Sequence, residues 1–282
     1  MCVYRKEDFM NEGIKVIVLD IDGTLFNDEK TITPKTKNVL KKAQEMGLTV
    51  VLASGRPASG LWYISDELEM EKHHGLLCCF NGSQVVDCTT TDLLFNAPMS
   101  IDMGKRVLNH MKAFNVNPMV YKDAYLYVND AYAYKVKYES RLGRLKVCEV
   151  DDLEAYLTWQ PNKILTSGDP EYLQENYQLM MAPFKDQLSC MFTADFYFEF
   201  TAQGVDKARA LKVALNKLGY TNENCIAFGD AQNDLSIINF AKVGVAMGNA
   251  TDEVKAAADE VTLDNNHDGI YEALIKHIPE LA

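Results

Sequence analysis

The chain has 282 residues, 48% hydrophobic and 24% charged, a balance that fits an ordinary globular protein with room for two domains. Its formal charge of -12 argues against nucleic acid or an anionic membrane as a partner, and means that an anionic substrate needs a local positive centre. No run approaches the roughly 18 apolar residues of a membrane span. The opening MCVYRKEDFMNEG lacks the apolar core of a signal peptide, so the cytoplasm is the expected location. The seven cysteines agree, since they are odd in number and show no repeated Cys-x-x-Cys or Cys/His spacing.

Up to about Gly13 there is no periodicity, and an unstructured extension is expected. Val16 to Leu19 then form a β-branched apolar run, the pattern of a strand covered on both faces. It ends in Asp20 and Asp22, followed by Gly23 and Thr24. In open α/β sheets ligands bind at this carboxyl end of the strands. FNDEKTIT reads as a loop or small hairpin. Thr33-Pro34 start a helix that runs to Gly47, with Val39, Leu40, Ala43 and Met46 on its apolar face.

LTVVLAS is a second buried strand, closing in Ser54-Gly55-Arg56-Pro57. A short polar residue and a glycine ahead of a helix can hold a phosphate, or serve only as a turn and cap. His73 and His74 precede Gly75 at an expected helix end, where a solvated or dipole-complementing role is expected. LLCCF is a third strand, its Cys78 and Cys79 reading as small buried side chains, and Asn81-Gly82 follow.

From about Ser83 the texture changes. SQVVD, LLFNAPM, NPMVYKDAYLYV and KILTSG alternate with helical patterns near 100–115, 130–142 and 170–181, which suggests an inserted α+β module. Tyr121, Tyr125 and Tyr127 read as sheet packing with polar tips at the rim. FYFEFT closes the insert.

GVDKARALKVALNKLG is then an amphipathic helix with Lys207 in its first turn, where the helix dipole disfavours a cation; an anion facing it would account for the placement. CIAFG is a further buried strand, and Asp230, Asn233 and Asp234 follow it. VGVAM and EVTL add strands around the helix TDEVKAAA, and Asp268 is expected to cap the closing helix. The fold class expected is α/β: a doubly wound parallel core of residues 1–83 and 201–282, with an α+β cap of residues 84–200.

Carboxylates gathered unpaired at one sheet edge would cost several kcal/mol in repulsion and desolvation. An oxygen-only donor set matches Mg²⁺, which also supplies the missing positive centre. With it, Asp20 can attack a phosphoryl group, and Asp22 can protonate the leaving oxygen and later deprotonate water.

Four ordered motifs, DIDGTL at Asp20 to Leu25, Ser54 in ASGRP, Lys207, and GDAQND at Gly229 to Asp234, resemble those of the haloacid dehalogenase superfamily of phosphohydrolases. The insert, NGS at Asn81, VAMGNA at Val245 to Ala250 and NNHDGI resemble the Cof-type branch with its α/β cap. That resemblance implies Asp20 as nucleophile and metal ligand, Asp22 as acid/base with its backbone carbonyl on the metal, and Asp230 and Asp234 completing a Mg²⁺ site. It implies that Thr24, Ser54, Gly55, Lys207 and Asn233 hold the phosphate. Gln232 departs from the Glu that the branch often carries there. The substrate expected is a small phosphorylated metabolite, such as a sugar phosphate. A phosphomutase, a receiver-type signalling domain and a silent sugar-phosphate binder are the alternatives, and neither substrate nor oligomeric state is legible.

Overall fold

The structure is a computed structural model in which residues 13–282 are described, so most of the expected N-terminal extension lies outside the described residues. It begins with β1 (Val16–Leu19), α1 (Pro34–Glu45), β2 (Thr49–Ala53), α2 (Trp62–Glu67), β3 (Leu76–Cys79), β4 (Gln84–Asp87) and β5 (Leu93–Asn96). There follow α3 (Ile101–Met111), β6 (Asn117–Lys122), β7 (Tyr125–Val128), α4 (Val136–Leu142), β8 (Lys146–Glu149) and α5 (Leu153–Tyr156). Then come β9 (Lys163–Ser167), α6 (Pro170–Met181), β10 (Leu188–Ala194) and β11 (Tyr197–Ala202). The chain closes with α7 (Lys207–Lys217), β12 (Cys225–Gly229), α8 (Leu235–Phe240), β13 (Val243–Ala246), α9 (Asp252–Ala257), β14 (Glu260–Val261) and α10 (Gly269–His277).

The first unit holds an eight-stranded sheet in the order β14-β13-β12-β1-β2-β3-β4-β5. From β14 to β3 neighbouring strands are parallel, and β4 is antiparallel to β3. The expected parallel sheet therefore carries a mixed edge. Val16 and Val18 of β1 pack with Ala210, Leu211 and Ala214 of α7, while α1 packs against β2 and α10. Strands so covered have no polar face to spare, which is why β1 and β12 read as unbroken apolar runs and β2 as one after its opening Thr49. The order reverses at β1, whose neighbours are β2 on one side and β12 on the other, so their carboxyl ends meet at a topological switch point.

The second unit comprises Arg56–Trp62 and Asn96–Val205, built on a six-stranded sheet ordered β10-β11-β9-β6-β7-β8. Its apolar core joins Val107, Leu108 and Met111 of α3 with Leu173 of α6 and with Phe198 and Phe200 of β11. These bounds differ from those of the expected insert, 84–200. SQVVD and the start of LLFNAPM extend the first sheet as β4 and β5, whereas Ser59 Oγ donates to Gly143 O at 2.7 Å inside the second unit. Alternation alone does not say which sheet an edge strand joins. Edge strands β8 and β10 escaped the sequence reading because their faces are only half buried.

Three local expectations are also corrected. Met46 is exposed at the end of α1, although Val39, Leu40 and Ala43 are buried as expected. Tyr121 is buried rather than at a rim: its hydroxyl donates to Glu139 Oε1 at 2.8 Å. Asp268 does not cap α10 with its side chain; its carboxylate accepts from Thr33 Oγ1 at 2.5 Å, linking the start of α10 to that of α1. Cys78 and Cys79 are buried, and His74, exposed as expected, turns Nδ1 to Asp87 Oδ2 at 3.0 Å. No helix among the described residues is long and apolar enough to cross a membrane.

Candidate active site

Asp20 leaves β1 with its N–H donating to Phe228 O of β12 at 3.2 Å, which carries the side chain just past the sheet edge. The chain then closes on itself: Leu25 N–H donates to Asp20 O at 3.2 Å and Phe26 N–H to Ile21 O at 2.9 Å. Ile21, fully buried, anchors the turn between the two aspartates. Gly23 has φ +88°, and a Cβ there would collide with the Asp230 carboxylate. Glycine is thus required twice, for the backbone conformation and for the approach of the second acidic loop.

That loop follows β12. Asp230 Oδ1 accepts from Thr24 Oγ1 at 2.7 Å, so Thr24 bonds to the acidic group, not only to whatever lies beyond it. Asp234, wholly buried in the 3₁₀ turn Gln232–Asp234, accepts from the N–H groups of Asp230 and Ala231, both at 3.1 Å. Carboxylate oxygens of Asp20, Asp230 and Asp234 lie within 4.8 Å of one another.

Lys207 enters this cluster from α7. Asp206 is its N-cap, accepting from Arg209 N–H at 2.9 Å, which leaves Lys207 as the first helical residue. The ammonium, 1% exposed, donates to Asp20 Oδ1 and to Asp234 Oδ1, both at 2.7 Å. Gly82 adjoins this helix start: it has φ +96°, and a Cβ would run into the Asp206 carbonyl. The anion expected opposite an unfavourably placed lysine is therefore a pair of aspartates.

Two of the three carboxylates bond to this ammonium and the third, Asp230, bonds to Thr24, and the protonation preferences follow. Burial pushes the Asp20 carboxyl well above its ordinary range, and the Asp234 charge adds to this, against the pull of Lys207. Asp230 is raised by burial and by the charges of Asp234 and Asp22, against the Thr24 hydrogen bond. For Lys207 burial favours the neutral amine, but Asp20 and Asp234 outweigh it and hold the ammonium above the ordinary lysine value. The cluster is short of positive charge, and its donors are all oxygens, the set that a hard divalent cation takes.

The remaining expected residues stand in different settings. Ser54, buried at the end of β2, donates its N–H to Cys78 O at 2.9 Å and accepts from Asn81 N–H at 3.0 Å; a Cβ on Gly55 would stand 3.2 Å from Asn81 Nδ2. Asn81 thus backs the Ser54-Gly55 corner. Asn233 is exposed on its turn. Asp22 is outside the carboxylate cluster: its side chain, 43% exposed, accepts from Lys30 Nζ at 3.1 Å. Sequence reasoning missed Lys30, which sits at φ +59° in the Asn27–Thr31 loop, and missed that Asn249 and Asn265 bond to the Asp22–Phe26 turn. The only signal for those two was their place in VAMGNA and NNHDGI.

A sequence profile described as haloacid dehalogenase-like hydrolase matches residues 17–274. Among similar curated proteins is the 5-amino-6-(5-phospho-D-ribitylamino)uracil phosphatase YcsE of Bacillus subtilis, 30% identical, covering 93% of this chain and 94% of its own. Another is the pyridoxal phosphate phosphatase YbhA of Escherichia coli, 27% identical over 94% of this chain and 98% of its own. A haloacid dehalogenase-like hydrolase from Bacteroides thetaiotaomicron superposes with a TM-score of 0.89 at 32% identity, covering 93% of this chain and 99% of its own. With that profile spanning most of the chain and a curated relative 30% identical over 93% of it, the chain belongs to the haloacid dehalogenase-like hydrolases and stands among that family's phosphatases.

Proposed function

We propose that the chain is a Mg²⁺-dependent phosphomonoesterase that acts on small phosphorylated metabolites, sugar phosphates among them, through an aspartyl phosphate. One observation carries this reading: Asp20, at the switch point of the sheet, keeps its Oδ1 2.7 Å from the buried Lys207 ammonium within a cluster of three carboxylates. The phosphorylated alditol and pyridoxal named for the two relatives agree with the substrate class.

Asp20, Asp230 and the backbone carbonyl of Asp22 would hold Mg²⁺. When bound, the cation supplies charge neutralisation for a phosphoryl group next to a carboxylate. Both oxygens of Asp234 are engaged by Lys207 and by two backbone N–H groups, so Asp234 acts behind the metal as an anchor.

In the first half-reaction an Asp20 oxygen bonds to phosphorus while the bond from phosphorus to the leaving oxygen breaks. Asp22 gives that oxygen its proton. In the second, Asp22 takes a proton from water as the water oxygen bonds to phosphorus and the Asp20–phosphorus bond breaks, which releases phosphate, restores the Asp20 carboxylate and returns Asp22 to its acid form. Lys207 neutralises the transferring group, and Ser54, Gly55 N–H and Asn233 hold its outer oxygens. The test is steady phosphate release from p-nitrophenyl phosphate with Mg²⁺, abolished in Asp20→Asn. Unchanged turnover in that variant overturns the mechanism, and a stable phosphoenzyme in the wild type points instead to a receiver-like switch.

A further inference from the structure

The turn that carries Asp22 offers two backbone carbonyls, those of Gly23 and Phe26, to side chains from distant parts of the chain. Each is met by a side-chain amide from a different loop: Asn249 Nδ2 donates to Gly23 O at 2.8 Å, and Asn265 Nδ2 donates to Phe26 O at 3.0 Å. The two amides are joined, because Asn265 N–H donates to Asn249 Oδ1 at 3.1 Å. Asn265 is buried, and the second hydrogen of its amide reaches Asp28 Oδ1 at 3.2 Å, while Asn266 Nδ2 donates to Asp28 Oδ2 at 3.1 Å. Two residues after Asn249, Thr251 N–H donates to Asp230 O at 3.0 Å. One short loop therefore touches the backbone of both acidic motifs.

Only an amide fits these positions. Asn249 must donate to one carbonyl and accept from a neighbouring N–H, and Asn265 must donate twice toward oxygens. A carboxylate at 265 would set oxygen against oxygen at both contacts, the second a carboxylate already.

We propose that Asn249 and Asn265 are positioning residues, a two-amide clamp that fixes the Asp22–Phe26 turn relative to Asp230 and so sets where Asp22 delivers its proton. The kinetic consequence rests on the phosphomonoesterase reading, whereas the clamp itself does not. Its test pairs hydrogen–deuterium exchange over residues 20–28 with steady-state kinetics on p-nitrophenyl phosphate. The variants are Asn265→Asp and Asn249→Ala, with Asn239→Ala, whose amide donates to Leu235 O within α8, as control.

Both clamp variants are expected to exchange about tenfold faster in that segment, one lost hydrogen bond's worth, while the control stays at the wild-type rate. The kcat falls about 10- to 100-fold with KM within about twofold, the split expected when a reacting group is misplaced and binding is kept. Unchanged exchange, or faster exchange with unchanged kcat, overturns the proposal. Asn249 is exposed, so its variant decides the question where Asn265→Asp fails to fold. A wild-type chain without turnover would remove the phosphatase reading, and exchange alone would then judge the clamp.

Discussion

Lys207 Nζ stands 2.7 Å from Asp20 Oδ1 across 187 residues of sequence, and each is buried because the other is there. Replacing Lys207 with Met leaves buried carboxylates without their cation. Breaking a buried pair in this way costs about 3–5 kcal/mol, and under the proposed mechanism losing this charge costs about 10²–10³ in kcat. Urea unfolding and phosphate release measure the two losses. Mg²⁺ should recover part of the stability and little of the rate.

Asp22 predicts the opposite balance. Its side chain is half exposed and paired with the exposed Lys30, a contact worth about 0–1 kcal/mol, so Asp22→Ala should melt within a few degrees of the wild type. Under the proposed mechanism, in which Asp22 is the acid and base, turnover should fall about 10²–10⁴-fold. Half-saturating Mg²⁺, read from calorimetry, should change little; loss of metal binding would reassign the side chain.

Gly82→Ala tests how the helix start is held. A Cβ at φ +96° is strained, and it would also push on the Asp206 carbonyl that begins α7. A loss above about 1 kcal/mol is expected, with a fall in kcat because Lys207 moves with its helix. Wild-type rates in a destabilised Gly82→Ala would separate the helix start from catalysis.

Asp87 gives a pH dependence away from the chemistry. Burial would raise its pKa, but N–H donors from Thr90 at 3.0 Å and Thr89 at 2.7 Å, with the His74 ring, hold it below the ordinary carboxylate range. A depressed folded pKa contributes stability that is fully present above the unfolded value of about 3.9 and is lost as pH falls through the folded one. Asp87→Asn should cost about 1–2 kcal/mol near neutral pH, and the difference in urea midpoint should close below about pH 4.

The core was legible because its strands are covered on both faces: Val16 to Leu19 and Cys225 to Gly229 carry no polar residue, so the carboxylates that follow them are conspicuous. Lys207 was legible as an electrostatic anomaly at a helix start. The insert's edges were not, since β4 and β5 alternate much as insert strands do and pairing partner is a tertiary property. Nor could spacing reveal Asn249 and Asn265. Asparagine in a loop is usually turn chemistry, and only the folded chain brings Gly23 to a residue 226 positions away.

The cap grouping of Asn96–Val205 ends one residue before Asp206, and Lys207 is the first residue of its helix. Whatever sequence occupies that interval, the ammonium is regenerated at the re-entry point by a local rule, a capping aspartate followed by one turn of helix. The place of the ammonium is thus set by a capping turn at the start of α7, and sequence change inside the second unit leaves it untouched as long as Asp206 still caps that helix.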